Sequence, residues 1–365
     1  MKDIYRHAKA VGAMLLAAAV VVAVPSQLWA DGMVIPPANY EGSLEEQSQE
    51  AMIIFQSSDI PGGATEDLIL KITVEGAVDQ FAWVIPLPNQ PTVKKADAKL
   101  FKELYDYVAY RLRPRMKKGS MGKLGGSFGA PEAAADVKVL SREIVGSYDV
   151  AVVRENRPGT LNKWLGDEGY QRIRSGEEVI EFYRRKGYVF TCVKVSDTEL
   201  TADKPVDLHP LRLTFKTGGR DGIYFPMKMT GLQERRFDVN LYVFYGAWLN
   251  DRLNKYGYEH RGFHRKYRDW DSRKCKPNAG KNWARPKSDP FLRSAAARIP
   301  TVAKLLRELH PGERHYLTNI QAFGLDPAEV RNWPDDLWLF PYYVNKRFIP
   351  YDARPGSPAA PAYQR

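Results

Sequence analysis

A pair of histidines four residues apart, His260 and His264, is the pattern in this sequence that points most directly to chemistry. On an α-helix this spacing would place both imidazoles on one face, where they could share a metal ion such as zinc. The pair differs from the His-Glu-x-x-His motif, because Arg261 and Gly262 stand between the histidines and glycine weakens a helix. Nearby cationic side chains also repel a bound metal cation. We therefore expect no cofactor, and a solvated basic loop is favoured over a divalent metal site.

Cationic and aromatic side chains are interleaved in the same stretch and suggest a site for anions. Residues 251–315 hold 17 Lys and Arg but only 7 Asp and Glu. Ammonium and guanidinium groups bind phosphate and carboxylate, and aromatic rings beside them can stack on ring-shaped ligands. The candidate anion-binding residues are Arg261, Arg265, Lys266, Arg268 and Trp270. The alternative, which is favoured, is a soluble basic surface with its aromatic rings packed beneath it.

No motif of a common enzyme class occurs in the context that it needs. The match to Gly-x-Ser-x-Gly at residues 125–129 lies in a glycine-rich stretch and does not follow a predicted strand, unlike the strand-to-helix elbow that presents a nucleophilic serine. The glycine-rich stretch at 119–127 contains Gly122-Lys123 but lacks the Ser or Thr that follows Lys in a phosphate-binding loop. No catalytic residue is therefore predicted, and whether the protein is an enzyme stays open.

The two cysteines, Cys192 and Cys275, are too few for a disulfide-dense scaffold. In an oxidising compartment they could pair with each other. The alternative is a buried thiol at Cys192, within an apolar strand, and a separate exposed thiol at Cys275. Both alternatives stay open from the sequence alone.

The first thirty residues have the three parts of a secretory signal peptide. Lys2, Arg6 and Lys9 give a basic start, residues 11–24 form an apolar run, and Ala30 is a small residue at the expected cut. The run is shorter than the roughly 20 residues that a membrane-spanning helix needs. We therefore expect cleavage after Ala30 and a periplasmic or secreted mature protein without a transmembrane segment. The alternative is an uncleaved N-terminal anchor.

The composition and the hydrophobic pattern describe a globular chain of 365 residues, 44% hydrophobic and 27% charged, with a net charge of +11. Alternating or continuous apolar residues predict strands, and apolar residues at helical spacing predict helices. The predicted strands are 51–57, 66–75, 81–86, 137–140, 143–153, 188–195, 211–217, 222–229 and 237–244. The predicted helices are 97–111, 161–165, 177–186 and 301–309. The apolar segment 337–343 is expected to pack on the core.

These elements favour an α+β fold with mixed or mainly antiparallel sheets and several packed helices. A strand, a glycine turn, an aromatic strand and a proline occur in that order at both 70–86 and 211–226, which suggests a duplicated hairpin unit. The expected organisation is a signal peptide at 1–30, an α+β domain at 31–244, a basic aromatic-rich extension at 245–350 and a disordered tail at 351–365. A glycine-rich linker is expected at 116–129.

Several phrases, in their order along the chain, resemble the bacterial domain of unknown function family 2330. The most specific is FAWVIPLP at 81–88, and others are IPP at 35–37, IVGSYDV at 144–150 and YVF at 188–190. The resemblance covers about residues 33–244 and implies a secreted or membrane-anchored bacterial protein of no established activity. Many members carry Cys-Gly-Gly near the mature N-terminus, whereas Asp31-Gly32-Met33 stands here, so a role of that cysteine is not implied.

The leading functional hypothesis is a non-enzymatic binding or assembly module of the cell envelope. Its partner would be an anionic envelope polymer, a lipid head group or an envelope protein, held by the basic C-terminal region. The alternative is a metal-assisted hydrolase that uses His260 and His264. A third interpretation is polyanion or nucleic-acid binding, and export from the cytoplasm makes nucleic acid an improbable partner.

Overall fold

The structure of the protein is a computed structural model that describes most of the chain. The described residues are 32–41, 45–58, 62–75, 80–112, 139–145, 148–196, 206–218, 222–246, 262–268, 297–311 and 315–339. The predicted signal peptide at 1–30, the linker at 116–129 and the tail at 351–365 lie outside these ranges.

The described residues form fifteen strands and five α-helices. The strands are β1 (Met33–Ile35), β2 (Glu45–Gln56), β3 (Thr65–Glu75), β4 (Gln80–Leu87), β5 (Thr92–Lys95), β6 (Val139–Val145), β7 (Tyr148–Val153), β8 (Val189–Ser196), β9 (Val206–Asp207), β10 (Leu211–Lys216), β11 (Ile223–Phe225), β12 (Phe237–Tyr245), β13 (His264–Arg268), β14 (Tyr316–Leu325) and β15 (Leu337–Leu339). The helices are α1 (Lys99–Leu112), α2 (Thr160–Asp167), α3 (Glu177–Arg185), α4 (Pro300–Leu309) and α5 (Pro327–Arg331). A 3₁₀ turn spans Thr230–Leu232.

The larger sheet joins strands that are far apart in the sequence. Its order in the described residues is β13-β14-β12-β2-β3-β10-β5, and β9 also pairs with β3. The pair β12 and β2 is parallel, and the other pairs in this sheet are antiparallel. The C-terminal strands β13 and β14 therefore complete the same sheet that begins with β2.

The second sheet has the order β1-β4-β8-β7-β6 and is antiparallel throughout. A further pair of short strands, β11 and β15, is also antiparallel. One continuous apolar core contains residues of both larger sheets together with residues of α2 and α3. A smaller core lies on the other face of the larger sheet, where α1 and α4 pack.

The two faces of β3 show how the sequence builds both cores. Leu68, Leu70 and Ile72 point into the large core, while Ile69 points into the smaller core under α1 and α4. Successive side chains of a strand point to opposite faces, so the part of β3 from 68 to 70, which is buried on both sides, is continuously apolar. Among the described residues, no helix is both long and apolar enough to cross a membrane.

The α+β fold class is confirmed, and most predicted elements are present within a few residues of the expected bounds. The duplicated hairpin is not confirmed. β3 and β4 belong to different sheets, and β4 pairs with β1 and β8 instead of β3. Likewise β11 pairs with β15 and not with β10.

Three local predictions differ from the structure. The strand β6 runs from Val139 to Val145 and β7 begins at Tyr148, so the predicted break between 140 and 143 is wrong. The strand predicted at 222–229 ends at Phe225, because the next residue is a proline and the backbone N–H groups of Met227 and Lys228 bond to a carboxylate. The strand β13 lies in a stretch that was expected to be irregular, since its charged residues hide the alternation.

Candidate binding face of the larger sheet

The predicted anion-binding residues that the structure describes lie on β13, the terminal strand of the larger sheet in the described residues. The side chains of His264, Arg265 and Lys266 are all exposed. Arg268 is also on this strand and pairs with Thr318 of β14. The strand therefore places three successive cationic or titratable side chains on the surface. Arg261 and Trp270 lie outside the described residues.

The strand β13 is anchored at its start and irregular in its middle. Gly262 adopts φ +80°, a left-handed conformation that favours glycine, and Phe263 is completely buried. The register with β14 shifts between Arg265 and Tyr267, so Lys266 sits at a bulge. Bulges and charged side chains on an edge strand discourage pairing with another strand, which favours side-chain recognition at this edge.

A row of polar residues crosses four neighbouring strands and ends on β13. Glu50 on β2 is aligned with Asn240 on β12, Asn240 is aligned with Gln321 on β14, and Gln321 is aligned with His264 on β13. Aligned residues of neighbouring strands lie on the same face of a sheet. We call these four residues, Glu50, Asn240, Gln321 and His264, the polar row.

Hydrogen bonds connect three members of the polar row, and each is donated by an amide nitrogen toward Glu50. Gln321 Nε2 donates to Asn240 Oδ1 at 3.1 Å, and Asn240 Nδ2 donates to Glu50 Oε1 at 3.2 Å. Asn319 Nδ2 also donates to Asn240 Oδ1 at 2.6 Å. Asn240 and Gln321 are buried, Glu50 is half-buried and His264 is exposed. The interior amides thus hold the row in place, and its two ends are the parts that solvent reaches.

The polar row separates an apolar part of this face of the sheet from a polar part. The neighbouring positions on that face, Met52 and Ile54 of β2 and Phe244 of β12, are apolar and packed under α1 and α4. Tyr242 lies at the boundary, and burial raises the pKa of its hydroxyl well above the usual value, with a further contribution from Glu50. The helices therefore cover the apolar part of the face, and the polar part continues to β13.

The metal site proposed from His260 and His264 stays a prediction. His264 begins β13 with an exposed side chain, and His260 lies outside the described residues. Within the described ranges there is no group of three His, Cys, Asp or Glu side chains placed to hold a metal ion.

A second cluster of titratable side chains surrounds Asp67 of β3. His310 Nε2 lies 3.8 Å from Asp67 Oδ2, and Arg212 Nε lies 3.7 Å from Asp67 Oδ1. The ring of His315 is 5.5 Å from that of His310, measured between centroids. His310 Nε2, His315 Nδ1 and Arg212 Nε are buried and have no hydrogen-bond partner among the described residues. Burial, and to a lesser degree the neighbouring His310, lowers the pKa of His315 from 6.5 to about 4.

The pH dependence of folding is expected to change when His315 is replaced with glutamine. The unfolded chain takes up a proton near pH 6.5 and the folded chain only near pH 4, so this contribution to stability is present above pH 6.5 and is lost as the pH falls. Between pH 7 and pH 5 the wild type should lose about 2 kcal/mol of unfolding free energy relative to His315→Gln. Urea unfolding at each pH measures this difference, and parallel profiles of the two proteins would contradict it.

Cys192 lies at the centre of β8 and is completely buried. Burial raises the pKa of the Cys192 thiol, as does the negative charge of Glu168. A buried thiol with a raised pKa is a poor nucleophile, in keeping with a packing role. Cys275 lies outside the described residues, so its pairing with Cys192 stays a prediction.

Sequence reasoning missed the polar row and the cluster around Asp67. Asn240 and Asp67 lie inside predicted strands, where the only local signal is a polar residue that interrupts the apolar pattern, whereas Gln321 lies on β14, a strand that the apolar pattern did not predict. Such an interruption does not say which other strand supplies the neighbouring polar residue. The alignment follows from the strand order.

Comparisons with known proteins give a family and no activity. The model of a family described as an uncharacterized protein conserved in bacteria, DUF2330, matches residues 45–335, which include β13 and β14. A solved structure with some similarity is the crystal structure of baculovirus P35, which is 11% identical with a TM-score of 0.36, over 66% of this chain and 72% of that chain. No curated protein matches the sequence.

Proposed function

Because this chain belongs to DUF2330, a family of uncharacterised proteins conserved in bacteria, we propose a function from its own surface: it is a non-enzymatic binding module of the bacterial envelope. Its basic edge strand β13 holds an anionic envelope polymer. The single observation that carries this proposal is the exposure of His264, Arg265 and Lys266 side by side on that strand.

Electrostatics supports an anionic partner for β13. Each exposed Lys or Arg near a negatively charged surface contributes about 1 kcal/mol to binding. A polymer adds the release of its condensed counterions, which makes binding strong at low salt and weak at high salt. The basic excess of residues 251–315 extends this potential along the chain on both sides of the strand.

The compartment is part of the proposal and rests on residues 1–30. We expect the full chain, expressed in a bacterial host, to be recovered from the periplasm with Asp31 as its first residue. N-terminal sequencing of the purified protein measures the cut. A protein that keeps Met1 and stays with the membrane fraction would instead support the uncleaved anchor.

Reversing the charge of two residues on β13 tests the binding function. The variant Arg265→Glu with Lys266→Glu should bind polygalacturonate about 30-fold more weakly than the wild type, since two lost contacts of about 1 kcal/mol each amount to about 2 kcal/mol. Fluorescence titration at low ionic strength, repeated at rising salt, measures the affinity and its salt dependence.

The matched control lies on the opposite edge of the same sheet. Lys94 and Lys95 of β5 are both exposed, so Lys94→Glu with Lys95→Glu changes the net charge by the same amount. This control should weaken binding only slightly. Equal losses in the two variants would show that net charge alone attracts the polymer, and the absence of any polymer binding by the wild type would refute the proposed function.

A further inference from the structure

We propose that His310 and His315 form an acid-sensitive latch, which holds the end of α4 on the larger sheet at neutral pH and releases it in acid. His310 directly follows α4, His315 directly precedes β14, and the centroids of their rings are 5.5 Å apart. The release is local, because it requires only the smaller core to open. This inference concerns a conformational change within the fold and does not rest on the proposed function.

The charges around the two rings leave no carboxylate for an additional positive charge. In the part of the chain that the structure describes, Asp67 of β3 and Arg212 of β10 accompany the rings. Asp67 lies 3.7 Å from the guanidinium of Arg212, so its negative charge is already matched. Lys94 of β5 is aligned with Arg212 and adds a positive charge to this face of the sheet. Glu313 and Arg314, between the two histidines in the sequence, lie outside the described residues.

Both histidines are buried, and this favours their neutral form. His310 Nε2 and His315 Nδ1 have no hydrogen-bond partner among the described residues. A neutral imidazole is less costly in such a place than an imidazolium, which would bury a charge with few groups to solvate it. Burial, with a smaller contribution from His310, lowers the pKa of His315 from 6.5 to about 4. A conformation in which water reaches His315 takes up a proton near pH 6.5, so acid favours that open conformation.

The helix α4 can leave the sheet without disturbing the large core. Its buried side chains pack in the smaller core, and no described residue of α4 belongs to the large core. At the other end of α4, the Glu103 carboxylate accepts hydrogen bonds from the backbone N–H groups of Thr301 and Val302, at 2.9 and 3.2 Å. Release would uncover part of the smaller core, which includes Phe244 and Leu317 on the face that carries the polar row.

Hydrogen exchange of the full chain, followed by mass spectrometry at pH 7 and pH 5 and corrected for intrinsic rates, tests the latch. In the wild type, the amides of α4 should be less protected than those of β8 at both pH values. Their protection should fall about 20-fold from pH 7 to pH 5. His315→Gln cannot take up the proton, so this fall should disappear.

The matched control is His209→Gln, which removes a half-buried histidine that is stacked on Tyr148. This control should keep the fall in protection. Equal protection of α4 and β8 would show that α4 leaves the sheet only when the whole protein unfolds, and the latch would be wrong. A fall that persists in His315→Gln would also overturn it, because another group such as Glu103 would then cause the release.

A pH series on the wild type decides the question even if His315→Gln does not fold. Between pH 6 and pH 4.5 the protection of α4 should fall about tenfold per pH unit, as expected for one proton taken up on opening. Protection of α4 that stays constant over this range would refute the latch.

Discussion

Replacing Asp336 with asparagine is expected to lower the free energy of unfolding by about 3 kcal/mol. Asp336 is completely buried between β15 and α5, and its carboxylate accepts four hydrogen bonds. Tyr183 and Tyr224 donate their hydroxyls at 2.9 and 3.0 Å. The backbone N–H groups of Met227 and Lys228 each donate at 2.9 Å. Three of these donors bond to Oδ1 and only Tyr224 bonds to Oδ2, so the NH₂ group of asparagine would face at least one donor in place of an acceptor oxygen.

The cost of burying the charge limits the size of this effect. Burial raises the pKa of Asp336, and the nearby Asp335 raises it further, while the backbone donors lower it. Part of the hydrogen-bond energy is therefore offset by desolvation, and the expected loss is smaller than the sum of four separate bonds.

Chemical denaturation measures this loss, and Asp106→Asn is the matched control. Asp106 is exposed on α1 and pairs with Lys102 one helical turn away, so its substitution should change the unfolding free energy by less than about 0.5 kcal/mol. Similar unfolding midpoints for Asp336→Asn and Asp106→Asn would show that the four donors find other partners, and the role assigned to Asp336 would be wrong.

Replacing Gly231 with alanine is expected to cost about 3 kcal/mol, the upper part of the range for overpacking. A Cβ at Gly231 would lie 2.6 Å from the backbone nitrogen of Arg331, and 2.9 Å from both its Cα and the carbonyl oxygen of Pro327. These are backbone atoms of α5, which cannot rotate away as a side chain can. The 3₁₀ turn and α5 must therefore separate to admit a single methyl group.

Gly166→Ala is a control that is expected not to lower the free energy of unfolding. Gly166 lies within α2, and a Cβ there would meet only the end of the flexible Arg172 side chain, at 3.2 Å. Alanine is favoured over glycine inside a helix by about 1 kcal/mol, so this variant should be as stable as the wild type or more so. Thermal unfolding of both variants measures the contrast, and a stable Gly231→Ala protein would contradict the close contact between the turn and α5.

Local patterns were sufficient for the fold class and insufficient for the sites. Alternation along β3 and helical spacing along α1 are set by which residues must be buried, and the structure confirms both. The donors around Asp336 come from α3 and from the segment after β10, which lie about 110 to 150 residues earlier in the chain. No periodicity within a segment encodes such a meeting.

The same limit applies to the candidate binding face. Arg265 and Lys266 could be selected from the sequence because charge is visible residue by residue. Glu50 could not be joined to Asn240, because their strands form a parallel pair whose partners are separated by 190 residues. The match of residues 45–335 to one family is consistent with a sheet that needs strands from both ends of this range.

The parallel pair of β2 and β12 has a consequence for the order in which the chain can fold. The apolar centre of β2 leaves the ribosome early, but the strand that covers its edge follows 190 residues later. At about 5–20 residues per second, synthesis of that interval takes roughly 10–40 s. During this time β2 presents an unpaired apolar edge that can aggregate, and pairing over such a distance is intrinsically slow. This sheet therefore cannot be completed until β12 and β14 have been synthesised.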